Sequence, residues 1–288
     1  MILKPLILVF IAFCGIVGSD SAGKILGEAG INSYVLTWLR FSMGAVFLLP
    51  FSGLKLSELR YLLSPLIILR AFLITGTIVC ILTALETVDV ADAFAAFFIG
   101  PVVSYFLAAL FLNEKITMPR TILLFIGLIG VMLVVKPGGD MKIGMIFALA
   151  SGCFYGSFMV VTRKIANDYR PKFLLLSHLI LGTLILLPVG SNVPISLIGQ
   201  AELLPLAISA FGSLFGNYLL VIVSRTTPAS LLSPLVYSQL IAAMLIGYFV
   251  FDTWPDMLAF IGLLIILASG VFSLIFYQKD KSSDTLGK

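Results

Sequence analysis

Four residues able to carry charge lie inside long apolar stretches of the chain: Asp20, Arg40, Arg70 and His178. A charge placed at the centre of hydrocarbon costs about 2.5–3.5 kcal/mol on insertion scales, so each of the four demands a physical reason. Arg70 reads either as a long side chain reaching for a polar interface or as a fixed cation that holds a carboxylate or phosphate bidentately. Arg40, close to Tyr34 and Trp38, reads as an interfacial anchor or as a coupling group. His178 is the single histidine. It is either a neutral ring bonded to a carbonyl or a proton-carrying site, since imidazole titrates near neutral pH. Asp20 stands four residues before Lys24, a helical spacing that permits an ion pair; the alternative is a proton or cation site.

Uncharged polar groups add to this set. Phe94, Phe97, Phe98, Pro101 and Tyr105 share one helical face by three-and-four spacing, and Ser230, Ser233, Tyr237, Met244 and Tyr248 share another. Phenylalanines so spaced serve packing or lipid contact as readily as ligand contact. Tyr105, Tyr237 and the neighbouring Gln239 differ, because a buried hydroxyl or amide wants a partner. Pro101 and Pro234 each remove a helix hydrogen bond and free a carbonyl. Tyr155 and Asn217 accompany Ser151, Ser209 and Ser213 near Gly152-x-x-x-Gly156 and Gly212-x-x-x-Gly216. Small residues four apart let helices approach closely, which makes these packing seams and leaves Tyr155 and Asn217 to line a cavity. Ligand-contact candidates are therefore Arg70, Phe97, Phe98, Tyr105, Tyr155, Asn217, Tyr237 and Gln239, with Asp20, Arg40 and His178 as coupling candidates.

The elements that must position them follow from composition. Of 288 residues, 60% are apolar and 11% charged, with a mean hydropathy of +1.14. Soluble domains run nearer 45–50% apolar and about 25% charged. A bilayer-crossing helix takes about 20 apolar residues, so ten crossings use roughly 200 positions and leave only short loops. Ten apolar runs are legible, at about 5–23, 34–51, 64–85, 91–112, 119–136, 143–164, 172–190, 203–224, 229–251 and 257–277. The first has one early lysine, Lys4, and no small-x-small cleavage site, so it reads as a span rather than a signal peptide. The runs are continuous rather than alternating, which excludes a β-barrel. The expected fold class is an all-α integral membrane protein of ten transmembrane helices. After Tyr277 the chain reads as a short disordered tail, residues 278–288.

Loop charge orients the spans. With the N-terminus inside, thirteen lysines and arginines fall in cytoplasmic segments, among them Lys55, Lys115, Arg120, Arg163, Arg170 and Arg225. Only Lys24, Lys136 and Lys142 fall outside. That asymmetry places both termini in the cytoplasm, and the cell's inner, or plasma, membrane is the expected location. The opposite face collects acids such as Glu28, Glu86, Asp89 and Glu202, either tolerated there or forming a vestibule that concentrates cations.

The two halves echo each other. At a shift of 138, Ala12 falls on Ala150, Gly18 on Gly156, Leu49-Pro50 on Leu187-Pro188, Ala91 on Ala229, Glu114 on Asp252 and Arg40 on His178. At a shift of 135, Phe125-Ile126-Gly127-Leu128 falls on Phe260-Ile261-Gly262-Leu263. The repeats expected are 1–137 and 138–277. A repeat of five spans returns the chain to the opposite side, so the second copy must be inserted upside down, an architecture of many secondary transporters.

Several stretches also resemble a known family. Arg70-Ala71-Phe72, Ala91-Asp92-Ala93, Gly100-Pro101 and Phe111-Leu112-Asn113-Glu114-Lys115-Ile116-Thr117 are similar to the first-repeat signature of EamA-type carriers of the drug/metabolite transporter superfamily. Ser233-Pro234-Leu235-Val236-Tyr237 and Gly247-Tyr248-Phe249-Val250-Phe251-Asp252 resemble the second-repeat end, where the family more often has Glu in place of Asp252. The resemblance covers about 5–277 and implies a ten-helix carrier whose central cavity is lined by helices 1, 3, 4, 6, 8 and 9. It leaves the substrate open among amino acids, nucleotide-like metabolites, vitamins and drugs.

Other classes fit poorly. An intramembrane enzyme needs paired aspartates, a histidine-rich metal motif or a serine–histidine pair, and a channel needs a ring of like polar residues. Neither pattern is present in the sequence. Cys14, Cys80 and Cys153 lie in apolar runs without C-x-x-C spacing and read as packing residues. No metal, cofactor, nucleic acid or obligate protein partner is expected. The reading is a secondary transporter of a small polar organic metabolite, amino-acid-, nucleoside- or vitamin-like, with possible proton coupling, acting as monomer or homodimer. The alternative is an efflux carrier of broad specificity.

Overall fold

The structure, a computed structural model, describes residues 3–85, 87–88, 90–136, 143–190, 199–251 and 256–286. The repeat boundary at 137/138, the loop 138–142 and Asp252 lie outside the described residues. Among the described residues, thirteen α-helices follow in chain order. They are α1 (Leu3–Glu28), α2 (Ser33–Ser52), α3 (Pro65–Leu85), α4 (Val90–Phe97), α5 (Gly100–Leu112), α6 (Met118–Val135) and α7 (Ile143–Ile165). The remainder are α8 (Pro171–Ile185), α9 (Leu187–Gly190), α10 (Gln200–Thr226), α11 (Ala229–Val236), α12 (Gln239–Phe251) and α13 (Met257–Leu286). A 3₁₀ helix, Leu56–Leu63, bridges α2 and α3.

Local chemistry sets the ends. Asn32 caps α2 by accepting the Tyr34 N–H at 2.8 Å, and Gly53 closes that helix with φ 58°, a conformation that costs glycine little. Prolines stand in the first turns of α5, α6 and α8, where a missing N–H costs nothing.

Nine spans among the described residues are long and apolar enough to cross a membrane by length and composition. The seventh run departs from its expected form. It stops as a continuous helix at Ile185 and resumes as the single turn α9, because Pro188 interrupts the hydrogen-bond ladder. The tail also departs: α13 continues to Leu286 rather than ending at Tyr277. Extending a formed helix costs far less than nucleating one, so the charged residues follow the apolar ones into the same helix.

The fourth and ninth runs are each two helices. Before Pro101 the backbone tightens, with Ile99 N–H donating to Ala96 O at 3.2 Å, and α4 ends at Phe97. In the second, α11 ends at Val236 beyond Pro234, and Ser238 N–H donates to Leu235 O at 3.0 Å. The two breaks stand at corresponding positions, although one proline follows its break and the other precedes it.

Packing between helices is reciprocal. The seam of α1 with α10 is matched by the seam of α7 with α3, and α6 pairs with α13. Glycines set the first: a Cβ on Gly216 would lie 2.5 Å from Ala12 O. In each of the first two seams a buried serine hydroxyl crosses to a carbonyl, Ser19 to Ser209 O at 2.6 Å and Ser151 to Thr77 O at 2.7 Å. Lys136, at the end of α6, pairs with Asp256, just before α13. Large apolar side chains such as Val46, Leu110, Leu204 and Phe249 point outward, the reverse of a water-soluble surface.

Candidate functional site

A small, partly open pocket lies between α1, α3, α7, α10 and α11. Its walls are largely apolar, with Phe13, Phe158, Leu232 and Val236 among them, and its polar lining comes from Arg70, Tyr155, Thr162, Asn217 and Ser224. Of the helices the family resemblance implied, the fourth span contributes no lining residue among the described ones; its Phe97 ring lies 5.3 Å from that of Tyr155, which does line the cavity.

Arg70 is held inside rather than extended to an interface, with only 1% of its surface exposed. Its Nε donates to Thr162 Oγ1 at 2.8 Å and its Nη1 to Leu174 O at 2.8 Å. Nη1 also lies 3.2 Å from Nδ1 of His178. A guanidinium has no lone pair to offer, so the imidazole nitrogen facing it is the acceptor. The guanidinium carbon stands 4.7 Å from the Phe158 ring centroid, a cation–π contact. Nη2 is buried without a hydrogen-bond partner among the described residues.

Tyr155 packs between Phe97 and Phe158 and is 8% exposed. Asn217 Nδ2 donates to Ser213 O at 2.9 Å, one turn earlier on α10. Sequence spacing thus placed Arg70, Tyr155 and Asn217 on three different helices, and the fold brings them to one cavity.

The other candidates stand elsewhere. Tyr105 is fully buried, with its hydroxyl 3.1 Å from Thr121 Oγ1. The ring of Tyr237 fills the space over Gly127, where an added Cβ would come within 2.9 Å of it, and lies 5.9 Å from that of Phe98. The Tyr237 hydroxyl and Gln239 Nε2 are buried without partners among the described residues. Asp20 pairs with Arg40 at 2.8 Å; the side chain of Lys24 lies outside the described residues.

Spacing gave no hint of a second polar cluster. Glu114, just beyond α5, accepts the backbone N–H groups of Ala229 and Ser230 at the start of α11. Arg163 Nε approaches Glu114 at 3.8 Å, and its Nη1 donates to the carbonyls of Ser224 and Arg225 at 2.7 and 2.8 Å. Arg120, 3% exposed, donates to Ser230 Oγ at 2.9 Å and to Lys115 O at 3.1 Å. In the sequence these arginines count only as loop charge. The signals were the recurrence of Glu114 and Ala229 in the repeat alignment and the place of Glu114 in the family signature.

The sequence profile of the EamA-like transporter family matches twice, over residues 3–136 and 142–275, and the chain belongs to that family. It is a multi-pass membrane protein of a transporter family, embedded in lipid and handling a small-molecule substrate. A protein of Rickettsia conorii named S-adenosylmethionine uptake transporter is 25% identical over 92% of this chain and 89% of its own. An uncharacterized transporter of Archaeoglobus fulgidus is 27% identical over 84% of this chain and 86% of its own. A solved crystal structure matches with a TM-score of 0.79 at 16% identity, covering 94% of this chain and 97% of that one, which shows the fold alone.

Proposed function

We propose that this protein is a secondary carrier that moves a small polar organic metabolite across the inner membrane by alternating access. The single observation that carries the reading is Arg70, a permanent cation buried on a cavity wall with one nitrogen unpaired. Such a charge is stable in a membrane interior only where something compensates it, and a bound anionic group does so once per transport cycle.

The architecture we infer is ten crossing helices in two inverted five-helix repeats with both termini cytoplasmic. The double family match and the reciprocal seams of α1 with α10 and α7 with α3 support it, and loop charge supports the orientation. The substrate-contacting residues in this reading are Arg70, Tyr155 and Asn217, backed by Phe97 and Phe98. Tyr105, Tyr237 and Gln239 form the packing layer behind them. S-adenosylmethionine, named for the Rickettsia relatives, is the first substrate to test. Full-length protein in liposomes loaded with unlabelled S-adenosylmethionine should exchange it for external label with saturation. Passage of current without saturable exchange would instead indicate a channel.

A further inference from the structure

The 3₁₀ helix Leu56–Leu63 buries none of its eight residues. Eight residues is long for a helix of this kind, whose hydrogen bonds are poorly aligned, so something beyond its own ladder must hold it. On one side the protein does so. Arg170, at the N-cap of α8, binds Glu58 through Nε at 2.9 Å and donates from Nη2 to Gly53 O at 2.9 Å. The Tyr61 ring lies 5.5 Å from that of Tyr169 and 6.4 Å from that of Phe173, and Leu62 packs on the buried cluster that includes Phe173.

The other side has no such support. Leu56 is 87% exposed, Leu63 is 76% exposed, and Leu59 is exposed between them. Position decides what covers these leucines. Three residues separate the 3₁₀ helix from the end of α2, and Ser64 alone separates it from α3. Both neighbours are long and apolar enough to cross a membrane, and three residues reach at most about 11 Å. The segment is thereby kept where hydrocarbon gives way to headgroups. Exposed apolar side chains continue on both neighbours, with Phe51 at the end of α2 and Ile68 and Phe72 in the first two turns of α3.

The charges match one kind of boundary. Glu58 is the single acid of the segment, and Arg170 takes it. Lys55 and Arg60 are exposed, and neither side chain forms an ion pair with a carboxylate among the described residues. Arg60 Nη2 donates to the Tyr61 hydroxyl at 2.9 Å, and its guanidinium carbon stands 4.9 Å from that ring's centroid, which steadies the charge at the surface. Loop charge places this end of α2 and α3 on the cytoplasmic side, the side of the anionic leaflet. An anionic phospholipid brings acyl chain for the leucines and phosphate oxygens for the cations together in one molecule.

We propose that Leu56–Leu63 is an in-plane anchor on the cytoplasmic leaflet, with Leu56, Leu59 and Leu63 among acyl chains and Lys55 and Arg60 on the phosphates of anionic lipid. The inference rests on the orientation given above and not on the nature of the substrate. The anchor joins α3, which carries Arg70, to α8, which carries its neighbours Leu174 and His178.

The test uses full-length protein carrying Cys14→Ser, Cys80→Ser and Cys153→Ser, with Leu56→Cys, Leu59→Cys and Leu63→Cys added one at a time and labelled with a small fluorophore. Each monodisperse variant is placed in vesicles of equal parts phosphatidylglycerol and phosphatidylcholine. Bromine on the acyl chains should quench all three labels. Aqueous iodide should quench them several-fold less than a label at Asp168→Cys, in the exposed turn between α7 and α8. With bromine confined to one lipid at a time, phosphatidylglycerol should associate with the Leu59 position about fivefold more strongly than phosphatidylcholine, the ratio expected of one basic side chain near an anionic surface. Lys55→Gln together with Arg60→Gln should bring that ratio to one and leave acyl quenching in place. Strong quenching by iodide would put the leucines in water, and protection from both quenchers would put protein over them, a second copy included; either result overturns the anchor. Equal quenching by the two lipids overturns the phosphate contacts. The labels report whether or not substrate is exchanged, so failure of the carrier reading would leave these outcomes intact.

Discussion

Glu114 caps a helix that begins 115 residues later: its carboxylate accepts the N–H of Ala229 at 2.9 Å and that of Ser230 at 2.8 Å. The residue before α11, Pro228, makes no side-chain cap of its own. The cap therefore comes from the segment just beyond α5 and ties the end of that helix to α11. Beside it Arg163 and Arg120 draw in the ends of α10 and α6. The carboxylate acts as a bolt on the side of the membrane where these helices meet.

Glu114→Ala should loosen that side. Two backbone donors lose a charged acceptor that is only 12% exposed, a cost of about 1–3 kcal/mol. The melting temperature should fall, and a cysteine placed at Ser230 should react faster with a membrane-impermeant thiol reagent. An unchanged labelling rate would show that the closure is held by apolar packing alone.

Arg70→Lys keeps the charge and should still fail. An ammonium cannot reproduce the separate donations to Thr162 and Leu174 while leaving a nitrogen free for ligand. Exchange should drop about tenfold or more, as expected from losing charge-assisted bonds, with the protein still monodisperse on size exclusion. Tyr237→Phe is the companion control. Its hydroxyl has no partner among the described residues, so substrate affinity should stay as it is.

His178 lies against the guanidinium of Arg70 and between the rings of Phe41 and Phe158. If this ring carries the coupled proton, His178→Gln should preserve exchange at equal substrate on both sides. Accumulation driven by an imposed pH gradient should vanish. Accumulation that persists would move coupling to the Asp20–Arg40 pair.

A pH effect is expected at the 3₁₀ helix. Arg170 binds Glu58 through Nε at 2.9 Å and Nη2 at 2.5 Å, and Lys55 N–H adds a third bond at 2.9 Å. The hydrogen bond from Arg170, with the Lys55 N–H, holds the Glu58 carboxyl below its ordinary value of 4.5. A lowered carboxylate stabilises the fold above that ordinary value, and the stabilisation is lost as pH falls through the lowered one. Wild type should therefore melt above Glu58→Gln near neutral pH, and the two curves should converge in acid. Parallel curves would mean that the exposed pair contributes nothing.

Composition and loop charge make the class of fold legible, because apolar length is a property of consecutive residues. Arg70, Tyr155 and Asn217 could be singled out for a related reason: a polar side chain in an apolar run stands out wherever it points. Thr162 escaped notice because a threonine hydroxyl is satisfied within its own helix in most settings, and only the fold turns it toward Arg70. The Glu114 cap was hidden because its partners are backbone N–H groups, which every residue except proline carries. Tyr237 drew attention as an isolated hydroxyl, but its ring is fixed by the absence of a side chain at Gly127, which lies on another span. The interruption at Ile185 comes just before Leu187-Pro188, a pair whose counterpart, Leu49-Pro50, lies inside an unbroken α2. The dipeptide alone does not decide the outcome.

The seam of α1 with α10 has a consequence for how the protein is made. Ser19 bonds to a carbonyl 190 residues downstream, and Gly216 closes on Ala12 across a similar distance. At roughly 5–20 residues per second of synthesis, α1 waits on the order of ten to forty seconds in the membrane before its partner exists. Through that interval its glycine-lined face meets lipid or the insertion machinery. A nascent chain released before α10 is complete would present that face to the cell's membrane proteases. Two half-length chains made separately should rescue each other only when both are inserted in the same membrane.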